Sequence, residues 1–341
     1  MKNTFLENRL ILKNNLGSTN GNERKSSPIE YFTGEESQLQ FSYSKQESSV
    51  RADKSNSEII EKSKKLKPSH TETKNTESSS HLNKLKELAK NKNWNIRAKV
   101  ASSPNTPKDI LVALSKDESS KVRKAIAFNK NTPEYILAAL SKDESRDVRS
   151  RVASNRNTQK YILTRLSRDE DFRIRRSVAN NDNTPQEVLE LLSEDENREV
   201  VSFVASNRNT PKDILTMLSE DNDDYIRQSV AHNNNTPQEV LESLSEDKAV
   251  RVVEFVASNP NTPREVLVRL SKVENIDIRL SVAYNPNTPS SVLTTLSRDK
   301  DNLVRFGVAR NPSTPFDTLV ALSKDEDRST REVSYDRVKG R

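Results

Sequence analysis

Hydrophobic and polar positions recur along most of this chain with a fixed period of 26 residues. Threonine marks nine successive periods without an insertion or deletion, from Thr106 to Thr314. Each period holds two short apolar runs with helical spacing, and Ile110, Leu111 and Leu114 form one of them. A period of this length indicates a solenoid, in which each unit buries its apolar face only against its neighbours. The sequence therefore predicts an all-α solenoid of nine two-helix repeats over residues 94–328.

Several polar columns repeat as strictly as the apolar ones, and each has a structural explanation. We expect the threonine of each Thr-Pro pair, as at Thr106, to begin a helix by accepting a hydrogen bond from a free backbone amide. Asparagine, as at Asn129, ends the other helix and is expected to adopt a left-handed backbone conformation, because the array has almost no glycine. Columns of aspartate and arginine, as at Asp117 and Arg123, are expected to form a ladder of structural ion pairs. Binding residues are therefore expected at positions that vary between repeats.

The chain outside the repeats divides into three segments. Residues 1–80 are rich in Ser, Asn, Lys, Glu and Thr and lack sustained apolar periodicity, which predicts a disordered N-terminal arm. Leucines at helical spacing predict a capping helix within residues 81–93, and the only tryptophan, Trp94, is expected to pack in this cap. Residues 329–341 are expected to form a charged C-terminal tail.

The composition excludes several kinds of site and a membrane-spanning segment. The 341 residues include no cysteine, which excludes disulfides and thiolate metal sites, and no apolar stretch is long enough to span a membrane. The three histidines are isolated, and the sequence has no Ser/His/Asp set, lone carboxylate pair or glycine-rich phosphate loop. We therefore predict a non-enzymatic, cytoplasmic monomer without a cofactor or a membrane partner. Secretion by an unconventional route stays an alternative.

One stretch of the array carries a recognisable string. Residues 278–299 read Ile-Arg-x-x-Val-Ala-x-Asn-Pro-Asn-Thr-Pro-x-x-Val-Leu-x-x-Leu-Ser-x-Asp. This string resembles the bacterial leucine-rich repeat variant family and, more distantly, HEAT repeats, and the resemblance covers residues 94–328. It implies short helices that alternate in a right-handed superhelix without strands, and it allows one helix of each pair to be tighter than an α-helix. A known member holds an iron–sulfur cluster through cysteines, which this chain lacks, so that cofactor is not expected here.

Charge varies along the array although the repeated residues do not. The residue after the repeated serine is basic in three repeats, acidic in the next three and basic in the last three. Residues 92–181 hold 20 Lys and Arg against 10 Asp and Glu, whereas residues 182–248 hold 5 against 16. Such segregation favours a partner protein with complementary charges. The basic band of repeats two and three leaves nucleic acid or another polyanion as the alternative partner.

We therefore predict a protein-binding scaffold or adaptor that uses the variable surface of the array. The candidate partner-binding residues carry the segregated charges or repeat as aromatic columns. They are Arg151, Arg156, Lys160, Arg165, Arg168, Glu194, Glu220, Glu246, Tyr135 and Tyr161.

Overall fold

A computed structural model describes residues 75–340, with side chains from residue 82 onward, and every regular element in this range is a helix. Helix α1 (Asn75–Leu88) comes first. Nine 26-residue repeats follow, each a longer helix of eight or nine residues and then a short helix of seven. The longer helices of repeats 1 to 9 are α2 (Trp94–Ser102), α4 (Ser120–Phe128), α6 (Arg146–Ala153), α8 (Phe172–Ala179), α10 (Arg198–Ser206), α12 (Asp224–His232), α14 (Val250–Ser258), α16 (Ile276–Tyr284) and α18 (Asn302–Arg310). The short helices are α3 (Lys108–Leu114), α5 (Glu134–Leu140), α7 (Lys160–Leu166), α9 (Gln186–Leu192), α11 (Lys212–Leu218), α13 (Gln238–Leu244), α15 (Arg264–Leu270), α17 (Ser290–Leu296) and α19 (Phe316–Leu322).

The array is built by stacking each longer helix on the longer helices of the repeats before and after it. One alanine of every longer helix, such as Ala127, is fully buried in this stack, where a larger side chain would hold the helices apart. The short helices pack on the longer ones and contribute the buried leucines, such as Leu111 and Leu137. The predicted all-α solenoid is confirmed, and both helices of each pair are α-helices.

The threonine of each Thr-Pro pair lies between a longer helix and the short helix that follows it. The Thr106 hydroxyl donates to the carbonyl of Val100 at 2.5 Å, near the end of the preceding longer helix. The carbonyl of Pro107 accepts the first bond of the short helix, from the Leu111 amide, so proline and not threonine occupies the N-cap. The prediction that threonine caps the short helix is wrong, because it lies one residue too early and meets a free helix-end carbonyl instead.

The repeated asparagine links adjacent repeats. Asn129 has φ −65° and ψ 121°, an extended conformation, so the predicted left-handed conformation is wrong. Its amide donates to the carbonyls of Ala101 and Ser103 in the previous repeat, both at 2.8 Å, and its Oδ1 accepts from the Asn131 amide at 2.9 Å. Asparagine is needed here because one side chain must both donate and accept. We call this set the asparagine ladder: Asn129, Asn155, Asn181, Asn207, Asn233, Asn259, Asn285 and Asn311.

Arginine and aspartate form a ladder of ion pairs, as predicted, but the carboxylate of Asp117 bonds Arg97 and not Arg123, the arginine six residues after it. Arg123 Nε donates to Asp143 Oδ2 at 2.6 Å and Nη2 to Asp143 Oδ1 at 2.9 Å, while Nη1 donates to the carbonyl of Asp117 at 2.8 Å. The carboxylate therefore lies 20 residues after the arginine, beyond the short helix of the same repeat, and Nη1 reaches back to the end of the previous repeat. The hydrogen bond to the Asp143 carboxylate raises the pKa of Arg123. Burial raises the pKa of Asp117, but its hydrogen bonds to Arg97 and to the Ser119 amide outweigh burial and hold that pKa below its usual value. The arginine ladder comprises Arg97–Asp117, Arg123–Asp143, Arg149–Asp169, Arg175–Asp195, Arg227–Asp247, Arg279–Asp299 and Arg305–Asp325.

The arginine ladder is interrupted twice, in two different ways. Val201 replaces one arginine, and the aspartate that it would pair with, Asp221, instead bonds Arg198. Val253 replaces another arginine, and the residue 20 positions later is Val273 rather than aspartate. Val201 and Val253 are buried in the core, and Val273 packs against it. Each gap therefore avoids leaving a buried carboxylate without a partner.

The N-terminal end of the array is covered by α1. This helix begins at Asn75, inside the segment predicted to be disordered, and ends at Leu88, before the predicted end of the cap at residue 93. Leu85 and Leu88 are buried, and Lys86 lies 3.5 Å from Asp109 of repeat 1. The remainder of the predicted disordered arm, residues 1–74, lies outside the described residues.

The C-terminal end is a tenth longer helix, α20 (Arg328–Lys339), so the prediction of a charged tail over residues 329–341 is wrong for most of its length. Arg337 occupies the register of the asparagine ladder and donates to the carbonyls of Ala309 and Asn311 at 2.6 and 2.8 Å. Thr330 and Ser334 are fully buried where the repeats carry valine or isoleucine. Because the core positions of α20 are polar, the apolar periodicity of the repeats does not predict this helix.

Ser334 offers a stabilising substitution. Its hydroxyl is buried without a hydrogen-bond partner, and the seventh residue of every other longer helix is valine or isoleucine. We expect Ser334→Val to raise the free energy of unfolding by about 1–2 kcal/mol, because it removes an unpaired polar group and adds apolar burial. Urea unfolding followed by circular dichroism measures this change. Ser329→Val, at an exposed position of α20, is the control, and an equal gain there would contradict this explanation.

Candidate partner-binding surface

One side of the longer helices is left free by the stack. The third, fourth, seventh and eighth residues of each longer helix face the core or the arginine ladder. The first, second, fifth, sixth and ninth residues fall within an arc of about 140°, since successive residues turn by about 100°. In repeat 2 these are Ser120, Lys121, Lys124, Ala125 and Phe128. We call these five positions of repeats 1 to 9 the longer-helix face.

The longer-helix face is strongly basic over repeats 1 to 4, which we call the basic half. It carries seven basic residues against one acidic residue, Asp147, a balance of +6. All side chains of this set are exposed or half-buried. The basic residues are Lys99, Lys121, Lys124, Arg146, Arg151, Arg173 and Arg176.

Over repeats 5 to 9 the same face changes character, and we call this part the apolar half. It carries three basic and four acidic residues, a balance of −1, so charge no longer dominates. Nine large apolar or aromatic side chains occupy it, against three in the basic half. They are Phe203, Tyr225, Val250, Phe255, Ile276, Leu280, Tyr284, Leu303 and Phe306.

Aromatic rings in the basic half lie beside cations. The Lys121 ammonium is 4.3 Å from the centre of the Trp94 ring, and the Arg151 guanidinium is 5.1 Å from the Phe128 ring. Phe128 is 61% exposed and Trp94 38% exposed, so neither ring is sequestered. The prediction that Trp94 packs in the cap is wrong, because Trp94 is the first residue of α2 and that position faces outward. These cations are held over apolar rings while their charges stay accessible.

Eight further acidic residues of the central repeats lie outside the longer-helix face. They belong to the short helices α9, α11 and α13 or to the residue that follows the closing serine, and all are exposed. The central short helices are therefore mainly acidic, whereas the longer-helix face of the basic half carries a single acidic residue. The acidic residues are Glu187, Glu190, Glu194, Asp213, Glu220, Glu239, Glu242 and Glu246.

The structure places the sequence-predicted candidates on four kinds of segment, and it brings Tyr161 and Arg165 close together on one of them. Arg151 alone lies on the longer-helix face. Tyr135, Lys160, Tyr161 and Arg165 are exposed on short helices α5 and α7. Arg168, Glu194, Glu220 and Glu246 follow the short helices, whereas Arg156 lies in the Asn-x-Asn turn.

Sequence reasoning missed Lys99, Lys121 and Lys124 as a cluster with Arg151. The signal was present in the five outward positions of successive longer helices, once these are read in register. The net charge of a whole segment does not reveal this cluster, because that sum also includes the ladder arginines and the short-helix residues.

A shallow groove of about 860 Å³ lies at the N-terminal ends of α6 and α8. It is lined by Glu144, Arg146, Glu170, Phe172 and Arg173 together with two ladder arginines. Asp171 lies 3.8 Å from Arg146 and 3.5 Å from Arg173, so charges of both signs are paired around it. Within residues 75–340 no group of acidic and histidine side chains is arranged to hold a metal ion. None of the helices in that range has the length and apolar character needed to cross a bilayer.

Comparison with known proteins supports the repeat assignment. The family model for the leucine rich repeat variant matches residues 276–301, which is the whole of repeat 8. Among solved structures, the chain is similar to a leucine-rich repeat variant with a novel repetitive structural motif, at 25% identity over 65% of this chain and 88% of that chain, with a TM-score of 0.46. A chain from the structure in which Kap95p binds RanGDP matches at 11% identity over 76% of this chain and 49% of that chain, with a TM-score of 0.42.

A designed armadillo repeat protein matches at 13% identity over 83% of this chain and 98% of that chain, with a TM-score of 0.17. No curated protein sequence matches. The resemblance to the leucine-rich repeat variant family, predicted from the repeated string, is confirmed by the match to repeat 8.

Proposed function

We propose that this chain is a non-enzymatic protein-binding scaffold that binds its partner through the longer-helix face. One observation carries the proposal. The residues that repeat are buried or bonded to neighbouring repeats, while this face changes from repeat to repeat and exposes aromatic side chains such as Phe128 and Tyr225. Exposed aromatic residues beside arginine are typical anchors of protein interfaces.

The buried ionisable groups support a structural role. The arginines and aspartates of the ladder bond each other bidentately in seven of the nine repeats, and their pKa shifts, where resolved, favour the charged forms. A catalytic acid or base needs a pKa near the working pH, which is opposite to these shifts. The ladder therefore stabilises the array and is not proposed as a site of chemistry.

The alternative, nucleic acid or another polyanion bound by the basic band of repeats two and three, receives less support. The candidates Arg156, Lys160, Arg165 and Arg168 lie outside the longer helix that carries Arg151, on a turn, a short helix and the residue after it. The basic candidates are therefore not gathered on one helix face. We keep it as an outcome of the binding experiments.

The proposal is tested by selecting random 24-residue displayed peptides on the full chain. We expect Tyr225→Ser with Tyr284→Ser to weaken binding of the selected peptides at least about tenfold, since anchoring aromatic residues dominate interfaces. The matched control is Tyr135→Ser with Tyr161→Ser, which removes two equally exposed tyrosines from the short helices. Binding lost in the control but retained in the first variant, or no selected peptide at all, would contradict the proposal.

A further inference from the structure

Building on the proposed function, we infer that the partner is an extended protein segment with two parts of different chemistry. An acidic part binds the basic half of the longer-helix face, and an apolar part binds the apolar half. The inference follows from the change in this single continuous face between repeat 4 and repeat 5. It goes beyond the proposed function because it specifies the chemistry of the bound segment and the order of its parts along the array.

The basic half has cations available for an acidic segment. Lys99, Lys121 and Arg151 form no ion pair with a carboxylate among the described residues. Lys124 is 2.9 Å from Asp147 and Arg176 is 2.7 Å from Glu199, but these exposed pairs are weak. Arg146 and Arg173 lie 3.8 and 3.5 Å from Asp171 and are less available to a partner. The acidic residues of the central short helices lie outside this face. An approaching carboxylate therefore meets Lys99, Lys121 and Arg151 as cations without a carboxylate partner among the described residues.

The apolar half has protruding side chains and partly buried rings between them. Tyr225 is 57% exposed, Leu303 54% and Tyr284 44%. Phe203 and Phe255 are half-buried, and Phe255 meets His232 edge to face with ring centres 5.4 Å apart. Leu280 and Tyr284 lie over Gly307, whose missing side chain would meet Leu280 at 3.2 Å and Tyr284 at 3.5 Å. Apolar side chains of a partner can pack between these residues and exclude water.

A protein segment suits this combination better than a polyanion does. Every residue of a nucleic acid carries a phosphate, so a strand long enough to follow the face would place charged phosphates on the apolar half. The four acidic residues of that half would repel phosphates, and burying a phosphate among its apolar side chains is unfavourable. A polypeptide can change from acidic to apolar along its length, as this face changes from basic to apolar. Longer helices about 9–10 Å apart make the face about 80 Å long, which an extended segment of about 24 residues can span.

The test uses the peptides selected on the full chain and three synthetic probes. The first is a 24-residue peptide with an acidic block and an apolar block, the second has the same composition with the two residue types interleaved, and the third is a 24-nucleotide oligothymidine. We expect the selected peptides to be enriched in the block arrangement. The block peptide should bind at least about tenfold more tightly than the interleaved peptide, since only it can match both halves at once.

Charge reversal locates the acidic block. Lys121→Glu with Arg151→Glu should weaken the block peptide at least about tenfold and make its binding less sensitive to salt. The control is Lys116→Glu with Lys142→Glu, which reverses two exposed charges that follow the short helices of repeats 1 and 2 and should leave binding unchanged. Circular dichroism of each variant verifies that the array is folded.

The outcomes separate this inference from the proposed function. Peptides that need Tyr225 and Tyr284 but show no segregation of acidic and apolar residues would overturn the inference and leave the proposed function standing. If oligothymidine binds more tightly than the block peptide, and if the Lys121 and Arg151 reversals abolish that binding, the polyanion alternative replaces this inference. If no peptide depends on the longer-helix face, the proposed function itself fails.

Discussion

Arg279→Val should lower the free energy of unfolding by about 3–5 kcal/mol, the usual cost of removing one partner of a buried ion pair. Arg279 and Asp299 have side chains only 7% and 8% exposed, with Nε to Oδ2 at 2.7 Å and Nη2 to Oδ1 at 3.0 Å. Without the guanidinium, Asp299 keeps a buried negative charge that one backbone amide, that of Asp301, cannot satisfy alone. Urea unfolding followed by circular dichroism measures the loss.

The chain supplies its own control for this prediction. Val253 and Val273 occupy the register of Arg279 and Asp299 in the preceding repeat. The double variant Arg279→Val with Asp299→Val copies that natural pair, and we expect it to recover at least half of the loss, because no unpaired charge remains. A double variant as unstable as the single one would show that the arginine contributes through packing or its bonds to backbone carbonyls instead.

Acid should reduce the difference between the wild-type chain and Arg279→Val. Burial raises the pKa of Asp299, but its hydrogen bonds to Arg279 and to the Asp301 amide hold it below its ordinary value. A carboxylate with a lowered folded pKa stabilises the protein fully above its unfolded pKa of about 3.9 and loses that contribution as pH falls through the folded pKa. The variant has lost this contribution already, so its unfolding midpoint should approach that of the wild type below about pH 4.

The second large effect concerns the asparagine ladder. We expect Asn233→Ala to lower the free energy of unfolding by about 2–4 kcal/mol, because the Ala205 carbonyl and the Asn235 amide each lose a partner at roughly 1–3 kcal/mol. The Asn233 amide donates to Ala205 and Asn207 carbonyls at 2.8 and 2.9 Å, and its Oδ1 accepts from Asn235 at 2.8 Å. The carbonyl of Asn207 keeps a bond from the Thr210 amide, so it contributes less.

The adjacent asparagine makes the control. Asn234 is exposed in the same turn, and Asn234→Ala should change stability by no more than about 0.5 kcal/mol, as surface substitutions usually do. The same urea titration compares the two variants. Equal losses at both positions would show that asparagine matters here for backbone conformation, which was the original prediction, and not for its bonds to the previous repeat.

The sequence predicted the solenoid because its repeats contact only their neighbours. The fixed spacing then specifies which residues of adjacent repeats meet. The recurring aspartate and arginine positions predicted the existence of the arginine ladder. The details of Thr106 and Asn129 could not be predicted in the same way. Local rules place a threonine before proline at a helix start and an asparagine after a helix in a left-handed turn. Both side chains instead bond carbonyls of other elements, which only the packing of helices brings within reach.

The periodicity of the sequence by itself determined the number of repeats, the all-α class and the buried columns, since a regular pattern of apolar residues has one efficient way to be buried. Only the tertiary structure decided which variable residues share a surface. It placed Arg151 on the longer-helix face together with Lys121 of the previous repeat, and Arg156, Lys160 and Arg165 on other elements. The physical reason is that a residue's direction depends on its angle around its own helix, whereas its neighbours on a surface come from helices one period away.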